Sequence, residues 1–143
     1  MRTLMDIKKV DHVGIAVTDL ASALTLYTDI MGLKVAKIEE FEDLGVKVAF
    51  IPVGDILVEL VQPLDSDTVL AKRIEMHGEG LYHIAYLVKD IDQALDEFKK
   101  NAVKMRDNEP RPAMGSRIAF TTPDSTNNVM IELVERPANK NLI

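Results

Sequence analysis

The 143-residue chain contains no cysteine and no tryptophan. Without a thiol there is no disulfide, no thiolate metal site and no cysteine nucleophile, which fits a reducing cytoplasm. Aromatics are scarce, with three Tyr and four Phe, so branched aliphatic residues must fill the core, as they do in sheet proteins. Basic residues are in the minority: 17 Lys and Arg against 23 Asp and Glu leave a net charge of −6. That argues against a nucleic-acid partner, because such binders rely on a basic face. Long apolar runs are missing as well. Lys47, Pro52, Gly54 and Asp55 interrupt the stretches richest in aliphatic residues, well short of the roughly 20 apolar residues a membrane span needs. The opening Met-Arg-Thr-Leu-Met-Asp-Ile-Lys-Lys has no apolar signal segment. The expectation is a cytoplasmic protein with neither a membrane nor a nucleic-acid partner.

What is present is 47% hydrophobic and evenly spread, enough to form a packed core and to disfavour disorder. The chain also repeats itself. Asp11-His12-Val13-Gly14-Ile15-Ala16-Val17-Thr18-Asp19 lies over Tyr82-His83-Ile84-Ala85-Tyr86-Leu87-Val88-Lys89-Asp90 at an offset of 71, so His falls on His and Asp on Asp. Val58-Glu59-Leu60-Val61 lies over Ile131-Glu132-Leu133-Val134 at an offset of 73. Two copies make a paired module and not a solenoid.

Each copy reads as β-α-β-β-β. In the first, Val10–Val17 is a strand by β-branched content, Asp19 caps a helix that Gly32 stops, and Leu33–Ile38, Val46–Pro52 and Ile56–Val61 are strands. In the second, Leu81–Val88 is a strand and Asp90 caps a helix with Ile91, Ala94, Leu95 and Phe98 on one face. Val103–Met105, Arg117–Thr121 and Val129–Val134 then follow as strands, and Asp67–His77 is a linking helix between the copies. The expected fold is α+β, a single domain over residues 1–143. Module one covers about 8–64, the linking helix about 66–78 and module two about 79–136, with the strands forming a curved, partly closed mixed sheet.

His12, Glu59, His83 and Glu132 occupy equivalent places in the repeat. Two imidazoles and two carboxylates suit a divalent transition metal such as Co, Mn, Ni or Zn. A lone Glu within an apolar strand is costly to bury unless paired or bound to metal. Taken singly, each His or Glu is more often structural or solvent-facing; it is the joint repetition that points to a metal site. His77 has no counterpart in the repeat and is expected at the surface. Lys99, Lys100, Lys104, Arg106, Arg111 and Arg117 cluster in the second half, either as phosphate contacts or as a solvated face.

The paired modules with one candidate ligand near each end resemble the vicinal oxygen chelate superfamily, from His12 to Glu135. Within it, several segments resemble the methylmalonyl-CoA epimerase family. These are Gly45-Val46-Lys47-Val48-Ala49-Phe50, Glu59-Leu60-Val61-Gln62-Pro63-Leu64, Gly78-Glu79-Gly80-Leu81-Tyr82-His83 and Glu109-Pro110-Arg111-Pro112. The resemblance implies a homodimeric, metal-dependent epimerase acting on an acyl-CoA by α-proton abstraction and return. His12, Glu59, His83 and Glu132 would be the ligands. Because Val48 has no proton to exchange, Glu59 and Glu132 are expected to be the catalytic bases as well; the alternative leaves Glu59 a ligand only, with Glu109 or a metal-bound water moving the proton. The chain departs from the family pattern at Tyr82, often His in relatives, and at Asp124, where relatives carry Lys. Many epimerases also carry Gln at the place of Glu59 and Glu at the place of Val48. Two alternatives share the ligand set or the fold: a glyoxalase I-type lactoylglutathione lyase, and a non-enzymatic small-molecule binding protein. A ring-cleaving dioxygenase is a weaker third.

Overall fold

The computed structural model describes residues 5–138. Their contacts divide into two compact units, one running up to His12 and again from His83, the other comprising Val13–Tyr82. The element order is β-α-β-β-β twice with a helix between, as the repeat implies, and the strands mix parallel with antiparallel pairing.

In the Val13–Tyr82 unit, Asp19 is extended and its carboxylate accepts from the Ala21 N–H, which starts helix α1 (Leu20–Leu24). The helix widens into a π-helical stretch, Thr25–Ile30. There the Met31 N–H reaches Leu26 O, and the Thr28 hydroxyl donates to Leu24 O at 2.8 Å, a back-bond that loosens the helical ladder. Strands β2 (Lys37–Phe41), β3 (Val46–Val53) and β4 (Ile56–Pro63) form an antiparallel meander, with Val48 opposite Val61 and Phe50 opposite Glu59. Strand parity sorts the side chains. Ala49, Ile51 and Leu60 pack with Val17 and Leu20 on the helix side. Val48, Phe50, Glu59 and Val61 therefore share the other face. Helix α2 (Val69–His77) follows, capped by Thr68, with His77 exposed in its last turn.

In the other unit, β1 (Ile7–Ala16), whose residues up to His12 belong here, lies beside β5 (Gly80–Val88). The order continues through β8 (Met130–Glu135), β7 (Ser116–Phe120) and β6 (Arg111–Ala113). β5 and β8 are parallel, with Ala85 opposite Glu132. Helix α3 (Ile91–Lys100), capped by Asp90, buries Ile91, Ala94 and Leu95 against Val88, Ala119 and Leu133. Ala119 pairs with Leu133 and Phe120 with Glu132, so Phe120 and Glu132 face away from the helix. The repeat also reaches details of the helix starts: Leu20 N–H donates to Gln62 Oε1 at 2.7 Å, and Ile91 N–H donates to Glu135 Oε1 at 3.0 Å.

Two expected strands are displaced. The expected strand Leu33–Ile38 is found as Lys37–Phe41. Leu33 and Val35 are spent packing on the first core cluster, and the Leu33 N–H closes the helix end on Tyr27 O. The expected strand Val103–Met105 is instead a helix exit. Ala102 is left-handed, Val103 N–H bonds Phe98 O, and only Met105 makes a single bridge, to Thr121. The second strand of that module is Arg111–Ala113, which contains Pro112 and stands at the end of the strand order, the place where a strand tolerates proline.

Candidate metal centre

Three of the four repeat-related side chains converge within one unit. His12 comes from β1, His83 from β5 and Glu132 from β8, each about 5% exposed. His12 Nε2 lies 3.1 Å from His83 Nε2 and 3.1 Å from Glu132 Oε1, and His83 Nε2 lies 3.0 Å from the same oxygen. Adjacent strands put these residues side by side, and the period of two sends all three to one face. Phe120 closes a flank, its ring edge-on to His83 with centroids 5.3 Å apart.

The next layer fixes the His12 ring. Asp11, fully buried, holds His12 Nδ1 at 2.7 Å from Oδ2, and Arg136 forms an ion pair with the other Asp11 oxygen. An ionised carboxylate only accepts, so the proton of His12 sits on Nδ1. Nε2 is the atom turned toward His83 and Glu132. A carboxylate that orients an imidazole in this way is the usual support of a histidine ligand.

Electrostatics agree with that arrangement. Burial pulls the His83 imidazole below its ordinary value, and the Glu132 hydrogen bond and charge do not reverse this; a neutral imidazole is the form that ligates. For Glu132, burial alone would push the carboxyl up, but its contacts with the His12 and His83 imidazoles outweigh this and bring the value down to about 2. The carboxylate is thus anionic at any physiological pH.

The donor set fits a divalent ion. Ligands about 2.1 Å from a metal stand about 3.0 Å apart at right angles and about 3.4 Å apart in a tetrahedron. The spacings of 3.0–3.1 Å in the observed triangle match those that ligands of one divalent ion would need, so His12, His83 and Glu132 would hold such an ion without rearrangement. A proton serves the triangle less well, since one oxygen and two Nε2 atoms compete for it. Glu59 is buried at 5% exposure on β4, on the face shared with Val48 and Phe50.

Asp11, Arg136 and Phe120 were not singled out by sequence reasoning. For Asp11 the signal was available: it is an acid in an apolar strand, subject to the same burial cost as Glu59 and Glu132. The repeat concealed it, because Tyr82 occupies the equivalent place.

Comparison with known proteins places this geometry in context. The family model for the Glyoxalase/Bleomycin resistance protein/Dioxygenase superfamily matches residues 11–120. The chain belongs to this superfamily. Among its members, an ethylmalonyl-CoA/methylmalonyl-CoA epimerase from Cereibacter sphaeroides is 33% identical, over 89% of this chain and 97% of that one. A protein of Bacillus subtilis described only as uncharacterized, YqjC, is 37% identical over 89% of this chain and 91% of its own. A solved methylmalonyl-CoA epimerase in complex with methylmalonyl-CoA and ammonium superposes with a TM-score of 0.86 at 31% identity, covering 95% of this chain and 99% of that one. The superfamily fold expected from the repeat is therefore present. Among the described residues no helix is long and apolar enough to cross a membrane.

Proposed function

We propose that this chain is a metal-dependent epimerase that interconverts the two epimers of 2-methylmalonyl-CoA. The observation that carries the reading is the convergence of His12, His83 and Glu132 on one point, in a chain whose similar proteins include epimerases of this substrate. Glu59, the repeat partner of Glu132 and equally buried, is the proposed fourth ligand. A divalent ion held by these four side chains would supply a Lewis acid for the negative charge that develops on the thioester oxygen.

The protein's own part is proton transfer. Removing the proton at C2 breaks a C–H bond and leaves its electron pair delocalised over the two adjacent carbonyl groups. Return of a proton to the opposite face completes inversion, so one acceptor is needed on each side. Glu132, held ionised, serves one side, and Glu59 is assigned the other. His12, fixed by Asp11, and His83, braced by Phe120, keep Glu132 in place. The proposal includes the cytoplasmic setting and the homodimer implied by the sequence resemblance.

Incubating the Co-loaded protein with a single methylmalonyl-CoA epimer in deuterated water tests this. The product epimer should carry deuterium at C2, while unreacted substrate keeps its protium. Absence of epimerisation, or turnover of the glutathione hemithioacetal of methylglyoxal instead, would overturn the reading in favour of a binding protein or a lyase.

A further inference from the structure

Six cations cluster in the second half of the chain, and the structure separates them. Lys99 donates to the Asn108 carbonyl. Lys100, Lys104, Arg111 and Arg117 pair with Glu97, Asp124, Asp107 and Asp92 respectively. No ion pair joins Arg106 to an acid among the described residues; its guanidinium lies 4.6 Å over the Phe120 ring. Arg111 sits farther from the same ring, at 5.9 Å, and is committed to Asp107 at 2.9 Å. Phe120 is in turn edge-on to His83 and opposite Glu132 across the β7–β8 pair. One aromatic ring thus contacts both His83 of the candidate metal centre and the exposed Arg106 guanidinium.

We propose that Arg106, held over the Phe120 ring beside His83, is the anion-binding residue of this site and receives a carboxylate or phosphate oxygen of the substrate. The ring contact holds the guanidinium carbon 4.6 Å from the Phe120 centroid while the residue stays exposed, and a guanidinium can meet such a group by two parallel N–H contacts. The other cations of the cluster each have a carboxylate or carbonyl partner, which leaves Arg106 as the one in ring contact beside the centre and outside any ion pair among the described residues. The inference rests on the acyl-CoA reading above, which offers two groups of this chemistry: the free carboxylate of the acyl part and the phosphates of CoA.

Arg106→Met keeps the contact with Phe120 and removes the charge, and Arg106→Lys restores charge without the fork. The Co-loaded wild type and both variants would be titrated calorimetrically with malonate and, separately, with adenosine 3′,5′-bisphosphate, neither of which requires turnover. Loss of one charge-assisted contact should weaken binding about tenfold or more in Arg106→Met, with partial recovery in Arg106→Lys. A loss confined to malonate assigns the carboxylate, and one confined to the bisphosphate assigns CoA. Equal binding by wild type and Arg106→Met, or no binding of either probe to the wild type, overturns the proposal. Epimerisation by the wild type is scored independently, so a failed functional reading is distinguishable from a failed Arg106 assignment.

Discussion

A buried carboxylate with two partners controls what its neighbours can do. Asp11 holds His12 by Nδ1 and is itself held by Arg136. Asp11→Asn keeps the shape but removes the charge, so the preference for Nδ1–H is lost and Arg136 is left facing an amide. Support of this kind is typically worth 10–100-fold in metal affinity, and removing one partner of a buried ion pair costs on the order of 3 kcal/mol of stability. Cobalt titration and thermal melting of Asp11→Asn should show both losses. His12→Ala or His83→Ala should go further and abolish binding, because each deletes one corner of the 3.0–3.1 Å triangle; full cobalt occupancy in either variant would refute the ligand assignment. The difference in legibility between these residues has a physical cause. His12, His83 and Glu132 could be read because repetition marked them. Asp11 acts through a neighbour and has no repeat counterpart, so only its burial cost could have disclosed it.

At the level of elements, a turn and a helix start depend on one glycine. Gly45 has φ of +71°, and a Cβ there would stand 2.8 Å from Cγ2 of Thr68. Thr68 is the cap of α2 and accepts from the Ala71 N–H at 3.1 Å, while the Gly45 carbonyl accepts from the Leu64 N–H at 2.9 Å. Gly45→Ala should therefore add a clash to the ordinary left-handed cost. Gly32 has φ of +75° with nothing within 4 Å of an added Cβ, so Gly32→Ala should bear that ordinary cost alone, about 1 kcal/mol. Melting temperatures should fall in both and clearly further in Gly45→Ala; equal shifts would mean Thr68 yields freely. Elements carrying such local instructions were readable. Asp19 and Asp90 start helices where the capping pattern puts them. Strands without such signals were misplaced. Leu33 and Val35 look like strand residues because they are aliphatic and alternate with a polar neighbour, yet they pack, partly buried, on α1's core. Arg111–Ala113 pairs with β7 although Pro112 and its charged neighbours conceal it.

On the scale of the whole molecule, the duplication supplies each half with one His and one Glu at matching places, and inversion of a stereocentre calls for two proton carriers. The halves are not equivalent in their surroundings. Glu132 is flanked by Ala85 and Phe120 in its sheet, and Glu59 by Phe50, with Val48 next on the same face opposite Val61. Val48 is fully buried and has no ionisable group; Glu39, opposite Val48 on β2, is half-exposed and paired with Lys37 at 2.9 Å, so on that face of the meander Glu59 is the buried carboxylate able to accept a proton. Glu59→Gln separates ligation from proton transfer, because an amide oxygen still coordinates while an amide does not accept a proton at neutral pH. The variant should retain cobalt and lose about a hundredfold or more in epimerisation. It should still exchange the α-proton of one epimer through Glu132. Adding Val48→Glu to Glu59→Gln restores a carboxylate to the same face one pair along, and should recover part of the activity. The two variants are compared by following deuterium uptake into each epimer separately. Epimerisation at the wild-type rate in Glu59→Gln would remove Glu59 from proton transfer and leave it a ligand alone.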